Sequence, residues 1–324
     1  MPVKLSRDII LSIALLLLIA LVSVRFPSFA SPSSLLDVFN DTSILIILAL
    51  GQMAVILTRC IDLSMASNLA LVGMCTAMLN AHMPEIPIPM LLTLSLVLGS
   101  VLGGINGLLV WKLDIPPIVV TLGTLTIFRG IIFLISDGQW VNAHEMSPAF
   151  KALPRALYFG IPTLSWLGLL CIVCMAVLVN GTPLGRAFYA VGGNPDAAVY
   201  TGINVGRTRF YAFALSGALS GIAGYLWVSR YAVAYVDIAA GFELDVVAAC
   251  VIGGISIAGG MGTVAGAVMG ALFLGVIKNA LPVINISPFW QQAISGFAII
   301  VAVVLNARSA RRPGRIILKK SEQL

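Results

Sequence analysis

The chain has 324 residues, only 10% of them charged, so the side chains able to do chemistry are those that interrupt its apolar runs. The densest interruption is Arg59-Cys60-Ile61-Asp62-Leu63-Ser64-Met65-Ala66-Ser67-Asn68, which sets a carboxylate, hydroxyls and an amide between two hydrophobic stretches. A charge at such depth is costly and normally faces a partner or a polar cavity. Two readings of Asp62 stand side by side: a local pair with Arg59, or a break in the helix along a translocation pathway. Gln52, Asn106, Thr121, Thr124, Arg129, Gln291 and Gln292 are further polar groups inside apolar runs. Together with Asp62, Ser64 and Asn68, the residues Gln52, Asn106, Thr121, Thr124 and Arg129 make up the candidate pathway. Buried amides and hydroxyls also serve simply as interhelical glue. Arg129 has its own structural alternative, a bridge to a helix-end carbonyl or to Asp137. Gln291 and Gln292 follow Trp290 and equally suit an interfacial belt.

Enzymatic chemistry finds no foothold. The sequence holds no G-x-x-x-x-G-K-[ST], no H-E-x-x-H and no G-x-S-x-G. The chain therefore has no phosphate-binding loop of its own, and no catalytic residue is expected. Its two histidines, His82 and His144, are too few for a metal site, which takes three or four ligands. Cys171 and Cys174 form a C-x-x-C inside an apolar run, where small side chains within a membrane helix are the expected reading.

The elements that must position the polar residues follow from hydropathy. Hydrophobic residues make up 59% of the chain and its mean hydropathy is +1.03. Runs such as Leu11–Val24, Ile44–Leu57 and Leu91–Trp111 approach the ~20 residues needed to cross ~30 Å of hydrocarbon. Without water to satisfy the backbone they must be helices. The expected fold is an all-α polytopic membrane protein forming a single domain over 1–324. About ten spans are expected, near 8–25, 42–59, 64–82, 88–111, 116–136, 163–180, 208–229, 243–258, 261–279 and 289–306. Basic residues concentrate at both ends, including a basic tail over 307–324, and in the 181–207 connection. The opposite side holds only Arg25, Lys151, Arg155 and Arg230. This asymmetry places both termini and the 181–207 loop in the cytoplasm, and the 137–162 loop outside. The same distribution argues against a nucleic-acid surface, despite a net charge of +6. Ten spans divide as five plus five, which allows an inverted repeat. Glycines, dense in 99–107 and 253–275, allow close helix contact.

The 181–207 loop carries helix signals of its own. Asn194 suits an N-cap, Pro195 the first helical position, Asp196 the positive end of the dipole, and Gly202 the C-cap. The spacing predicts a short helix over 195–201, flanked by glycines. It is too short to stand alone, so the bundle or a partner must hold it.

Four stretches now carry a family likeness. They are Ile61-Asp62-Leu63-Ser64 followed by Ser67; Asn106-Gly107 with the run PIVVTLG from Pro117 to Gly123; Gly185-Arg186 through Gly202-Ile203; and Gly253-Gly254 with Gly259-Gly260-Met261-Gly262. In register, these resemble the permease subunits of bacterial ABC importers for ribose, xylose, arabinose, galactose, rhamnose and autoinducer-2. The resemblance implies an inner-membrane permease that translocates a monosaccharide between two such chains, alike or different. A cytoplasmic ATPase would bind ATP and Mg²⁺, so no cofactor is expected in this chain. A periplasmic sugar-binding protein would deliver the substrate. On this likeness Gly185, Arg186, Gly193, Asn194, Pro195, Asp196, Ala197, Ala198, Gly202 and Ile203 would couple the chain to the ATPase. The polar side chains listed first would match sugar hydroxyls. Cys60 and Ala66 depart from the family pattern, which has glycine at both places. The competing expectation is a secondary transporter driven by an ion gradient. Such a transporter buries carboxylates or histidines for coupling, and here only Asp62, Glu243 and Asp245 come near.

Overall fold

Proline and short polar caps set most of the helix starts. Ser31 precedes Pro32, Ser147 precedes Pro148, Thr182 precedes Pro183 and Asn194 precedes Pro195, and each cap side chain accepts a backbone N–H from the first turn. Proline supplies the helical φ and lacks a donor that the first turn could not use. The computed structural model describes residues 7–283 together with Trp290, Ala293, Gly296, Phe297 and Ile300. The helices in chain order are α1 (Arg7–Arg25), α2 (Pro32–Leu57), α3 (Met65–His82), α4 (Ile88–Lys112), α5 (Pro117–Ser136), α6 (Pro148–Ala152) and α7 (Thr163–Gly181). They continue with α8 (Pro183–Gly193), α9 (Pro195–Tyr200), α10 (Val205–Tyr231), α11 (Phe242–Ile252) and α12 (Val264–Val283). A two-stranded hairpin, β1 (Leu157–Tyr158) and β2 (Ile161–Pro162), lies between α6 and α7.

Among the described residues, six helices are long and apolar enough to cross a membrane: α2, α4, α5, α7, α10 and α12. The all-α, polytopic expectation agrees with this. The expected first span forms as α1, but its apolar part, Leu11–Arg25, is shorter than the six. Three further details differ from the expected spans. First, α2 begins at Pro32, ten residues before the apolar run, because Ser31 caps it and Asp41 and the Asn40 carbonyl engage Arg230 of α10. Second, α3 forms over the expected residues but is too polar to count among the six. Its Ser67, Asn68 and Asn80 are buried by neighbouring helices instead of lipid. Third, the expected span 243–258 is cut to the 11 residues of α11. That is about 16 Å of helix, half a bilayer core. It stops where the chain turns through glycines of positive φ, from Gly254 (80°) to Gly260 (69°). Of the expected tenth span only Trp290, Ala293, Gly296, Phe297 and Ile300 are described, and the basic tail, Gln291 and Gln292 lie outside the described residues.

The centre of the bundle is α2. Every residue from Thr42 to Leu57 is buried, so the helix is apolar all round and enclosed all round. Around it pack α7, α10, α11 and α12. The tightest seam joins α4 to α10. A Cβ on Gly99 would lie 2.3 Å from the Gly217 carbonyl oxygen, and one on Gly103 would lie 2.3 Å from that of Phe213. Gly217 and Gly221 return the same closeness. Van der Waals contact of this kind replaces the hydrophobic drive that lipid removes. Ile105, Leu108, Val119, Leu122, Leu134, Leu170 and Val177 face outward from α4, α5 and α7, the arrangement expected where apolar surface meets lipid. A smaller cluster of Leu15, Val22, Phe29, Val38, Val276 and Ala280 fastens α1 to α12.

The 137–162 connection is tied down. Asn80 of α3 accepts from the Ser147 N–H at 2.8 Å and donates to Ser147 Oγ at 3.0 Å. The Phe150 carbonyl accepts from Ser229 and Tyr225 of α10. Val141 and Ala234 exchange backbone hydrogen bonds.

Candidate functional site

Two groups of residues emerge, both reached from the turn 58–64 that joins α2 to α3. The first is a buried polar network around Asp62. Asp62 Oδ1 accepts from the Ser64 N–H at 2.9 Å and from Ser64 Oγ at 2.7 Å, and Oδ2 accepts from Ser216 Oγ of α10 at 3.3 Å. Asn106 of α4 donates to Ser64 Oγ at 2.7 Å. With its amide turned to satisfy both ends, Gln52 of α2 donates to the Asp62 carbonyl at 3.2 Å and accepts from the Asp62 N–H at 3.3 Å. Thr121 donates to the Ile61 carbonyl at 3.4 Å. Asn68 donates across to the Gly99 carbonyl at 3.2 Å. One short turn thus collects ties from α2, α4, α5 and α10.

Of the candidate pathway residues, Gln52, Asp62, Ser64, Asn106 and Thr121 are brought together, with Asn68 one turn away. Thr124 bonds only to carbonyls of its own helix, Val120 and Thr121. Arg129 belongs elsewhere: its Nη1 donates to the Val236 carbonyl at 2.5 Å, in the segment between α10 and α11. It bridges to a carbonyl, though one in a loop and not a helix end, and not to Asp137. The local Arg59–Asp62 pair does not form. Among the described residues the ion pairs are Arg230–Asp41 and Lys278–Asp245 at 2.5 Å, and Arg59 turns the opposite way. Two hydroxyls and one backbone N–H, not a cation, satisfy the Asp62 carboxyl. The amide oxygens of Asn68 and Asn106 are buried without a protein partner. Ser216 is the network member that sequence reasoning missed. Its only signal was a serine within a small-residue stretch of an apolar helix.

The second group is the α8–α9 segment at the same end of the bundle. The predicted helix 195–201 forms as α9, with the Asn194 side chain accepting from the Ala197 N–H at 3.1 Å. Gly202, at φ 83°, ends it, and the Ile203 N–H returns to the Ala198 carbonyl at 3.0 Å. Sequence reasoning missed α8, although Thr182-Pro183 is the same cap signature as Asn194-Pro195. Gly185 lies against the end of α7, where a Cβ would sit 2.1 Å from the Val179 carbonyl oxygen. Phe188 is fully buried and the Tyr189 hydroxyl donates to the Gly262 carbonyl at 2.8 Å, which seats α8 on the bundle. Ala198 alone of α9 is buried, whereas Val199 is 58% and Tyr200 92% exposed. Asp196, Ala197 and Arg186 face outward as well. The segment therefore presents a short capped helix with an apolar tip, on a firm base. Asn194→Ala should remove the cap and cost about 1 kcal/mol locally. The expected reading is roughly fivefold faster amide exchange over 197–203, with no change in α10.

A helical bundle with six membrane-length helices among the described residues has the architecture of a multi-pass membrane protein. A family model described as "branched-chain amino acid transport system / permease component" matches residues 34–303. The chain belongs to this family of transport-system permeases. It is 37% identical over 296 residues to the ribose import permease of Haemophilus influenzae, covering 91% of each chain. It is 36% identical over 306 residues to the autoinducer 2 import system permease of Photorhabdus luminescens, covering 94% of this chain and 90% of that one. It is 36% identical to the corresponding Escherichia coli O9:H4 permease over 304 residues, covering 94% and 87%. No solved structure matches the chain.

Proposed function

We propose that the chain is the membrane-spanning permease of an ATP-binding-cassette importer that carries a monosaccharide or sugar-like signal across the bacterial inner membrane. The observation that carries this reading is α9, a capped helix held out from the bundle with Val199 and Tyr200 exposed. Such a tip suits the groove of a partner, and a cytoplasmic ATPase that binds ATP and Mg²⁺ is the partner proposed. Similarity to ribose and autoinducer 2 permeases supports the substrate class. A periplasmic binding protein delivers the solute, and a second permease chain completes the path. The proposed topology keeps ten spans in one domain, both termini in the cytoplasm, and an inverted five-helix repeat. In this scheme α9 carries nucleotide-driven movement of the ATPase into the bundle as a rigid-body shift. The Asp62 network and Thr124, with Arg129 near the opposite end, belong to the proposed translocation machinery.

The test replaces 194–202 with a Gly/Ser linker of equal length. Co-purification of the ATPase should fall by more than about tenfold, because a free linker loses the pre-ordered helix that docks. Uptake by the unaltered complex should survive a proton uncoupler and cease when ATP is depleted. Uptake that stops with the uncoupler alone would establish the ion-driven transporter instead.

A further inference from the structure

Arg59 stands where a side chain is uncomfortable. Its φ is 65°, the left-handed region that L-residues rarely occupy. Such strain survives only where surrounding contacts over-determine it. Here those contacts are two backbone carbonyls from a distant part of the chain. Arg59 Nε donates to the Gly192 carbonyl at 2.7 Å and Nη2 donates to that of Gly193 at 2.8 Å. Gly192 and Gly193 close α8, and a helix C-terminus favours a cation. The planar fork of a guanidinium holds two carbonyls at once, which an ammonium does less well.

Backbone contact reinforces the junction. The Gly260 N–H donates to the Leu57 carbonyl at 3.0 Å. A Cβ on Gly192 would lie 1.7 Å from that same Leu57 oxygen and 2.4 Å from the Gly260 nitrogen. Three chain segments therefore meet here: the end of α2, the end of α8, and the turn between α11 and α12. One residue beyond Gly193 is Asn194, the cap of α9. Three residues beyond Arg59 is Asp62, tied to α2, α3 and α10.

We propose that Arg59 is the positioning residue that couples α9 to the inner ends of the spans. The inference rests on the reading of α9 as the ATPase-docking helix. A push on α9 reaches the last turn of α8 directly. The guanidinium passes it to the 58–64 turn, and the Asp62 network distributes it to α2, α3, α4 and α10. Without the guanidinium, α9 keeps its cap and its exposed tip, so docking survives. The link into the turn goes slack.

The experiment uses the full complex, this chain with its ATPase and binding protein, in proteoliposomes, with labelled ribose as first probe and autoinducer 2 as second. The readout is solute imported per ATP hydrolysed. Arg59→Gly is the main variant, because glycine accepts the left-handed turn and removes only the side chain. The expected result is ATPase co-purification and hydrolysis within about twofold of wild type, with import per ATP lowered roughly tenfold. Arg59→Lys should recover part of the loss. Arg59→Gly with the wild-type ratio overturns the latch, and so does Arg59→Gly that no longer binds the ATPase, since the side chain would then shape the docking surface. If Arg59→Gly fails to reach the membrane, Arg59→Lys decides, and a wild-type ratio there overturns the latch. If neither probe enters, xylose, arabinose, galactose and rhamnose follow as probes; a wild-type complex that binds no ATPase, or imports none of these solutes, overturns the underlying functional reading, and the latch with it.

Discussion

Gly217→Val should leave little folded protein in the membrane. The Cβ alone would sit 2.2 Å from the Gly99 carbonyl oxygen and 2.7 Å from Gly103 Cα. Both are backbone atoms of a helix, so no side chain can swing aside. Carbon atoms need about 3.5 Å or more, so α4 and α10 must separate by roughly an ångström. That separation also stretches the Ser100 hydroxyl bond across the seam to the Ala214 carbonyl, now 3.2 Å. Overpacking typically costs about 1–3 kcal/mol, and an all-backbone clash belongs at the top of that range or beyond. Against a total stability of roughly 5–15 kcal/mol this is a large loss. Gly123→Val is the control, since a Cβ there meets nothing within 4 Å. The measurement is monodisperse yield after detergent extraction, with thermal unfolding of what remains. Equal yield and melting for the two variants would refute the α4–α10 seam.

Asp62→Ala should be the second severe variant, and Asp62→Asn a mild one. The alanine removes the acceptor of the Ser64 N–H, the Ser64 hydroxyl and the Ser216 hydroxyl, all buried. A buried donor left unsatisfied costs about 1–3 kcal/mol, so a loss of about 3 kcal/mol follows even if one hydroxyl finds another acceptor. The asparagine keeps an oxygen for Ser64 and offers its NH₂ to the Ser216 oxygen. Its cost should be about 1 kcal/mol. No cation partner is stranded by either change, because Arg59 points to α8 and not to Asp62. Thermal unfolding of the purified complex separates the two outcomes. If asparagine were as damaging as alanine, the negative charge itself, and not its acceptor geometry, would be what the turn requires.

Much of the architecture was legible because membrane physics writes it into composition. What hydropathy could not separate is an enclosed helix such as α2 from an outward-facing one such as α5, since both must be apolar. Cap chemistry was legible too: Asn194, Pro195 and Gly202 bounded α9 to within a residue. The same signature at Thr182-Pro183 announced α8, but the glycines around it suggested a loop. The shortening of α11 was not legible, because Gly254 could equally have eased helix packing inside the expected 243–258 span. Only its positive φ, 80°, distinguishes the two.

For the polar residues the division is sharper. By itself the amino-acid sequence determined that Asp62, Ser64, Asn106 and Gln52 lie in an apolar setting and need partners. Burial cost is a property of residue type and surroundings, and both are local. Which partners they take was decided by the tertiary structure alone. Ser64 and Asn106 are 42 positions apart, Asp62 and Ser216 154 apart, and Arg59 and Gly192 133 apart. Arg59 shows why. Three positions from a carboxylate, it satisfies the local rule for an ion pair. Yet a left-handed turn swings its guanidinium onto the end of α8, and that turn exists only because three backbones meet there.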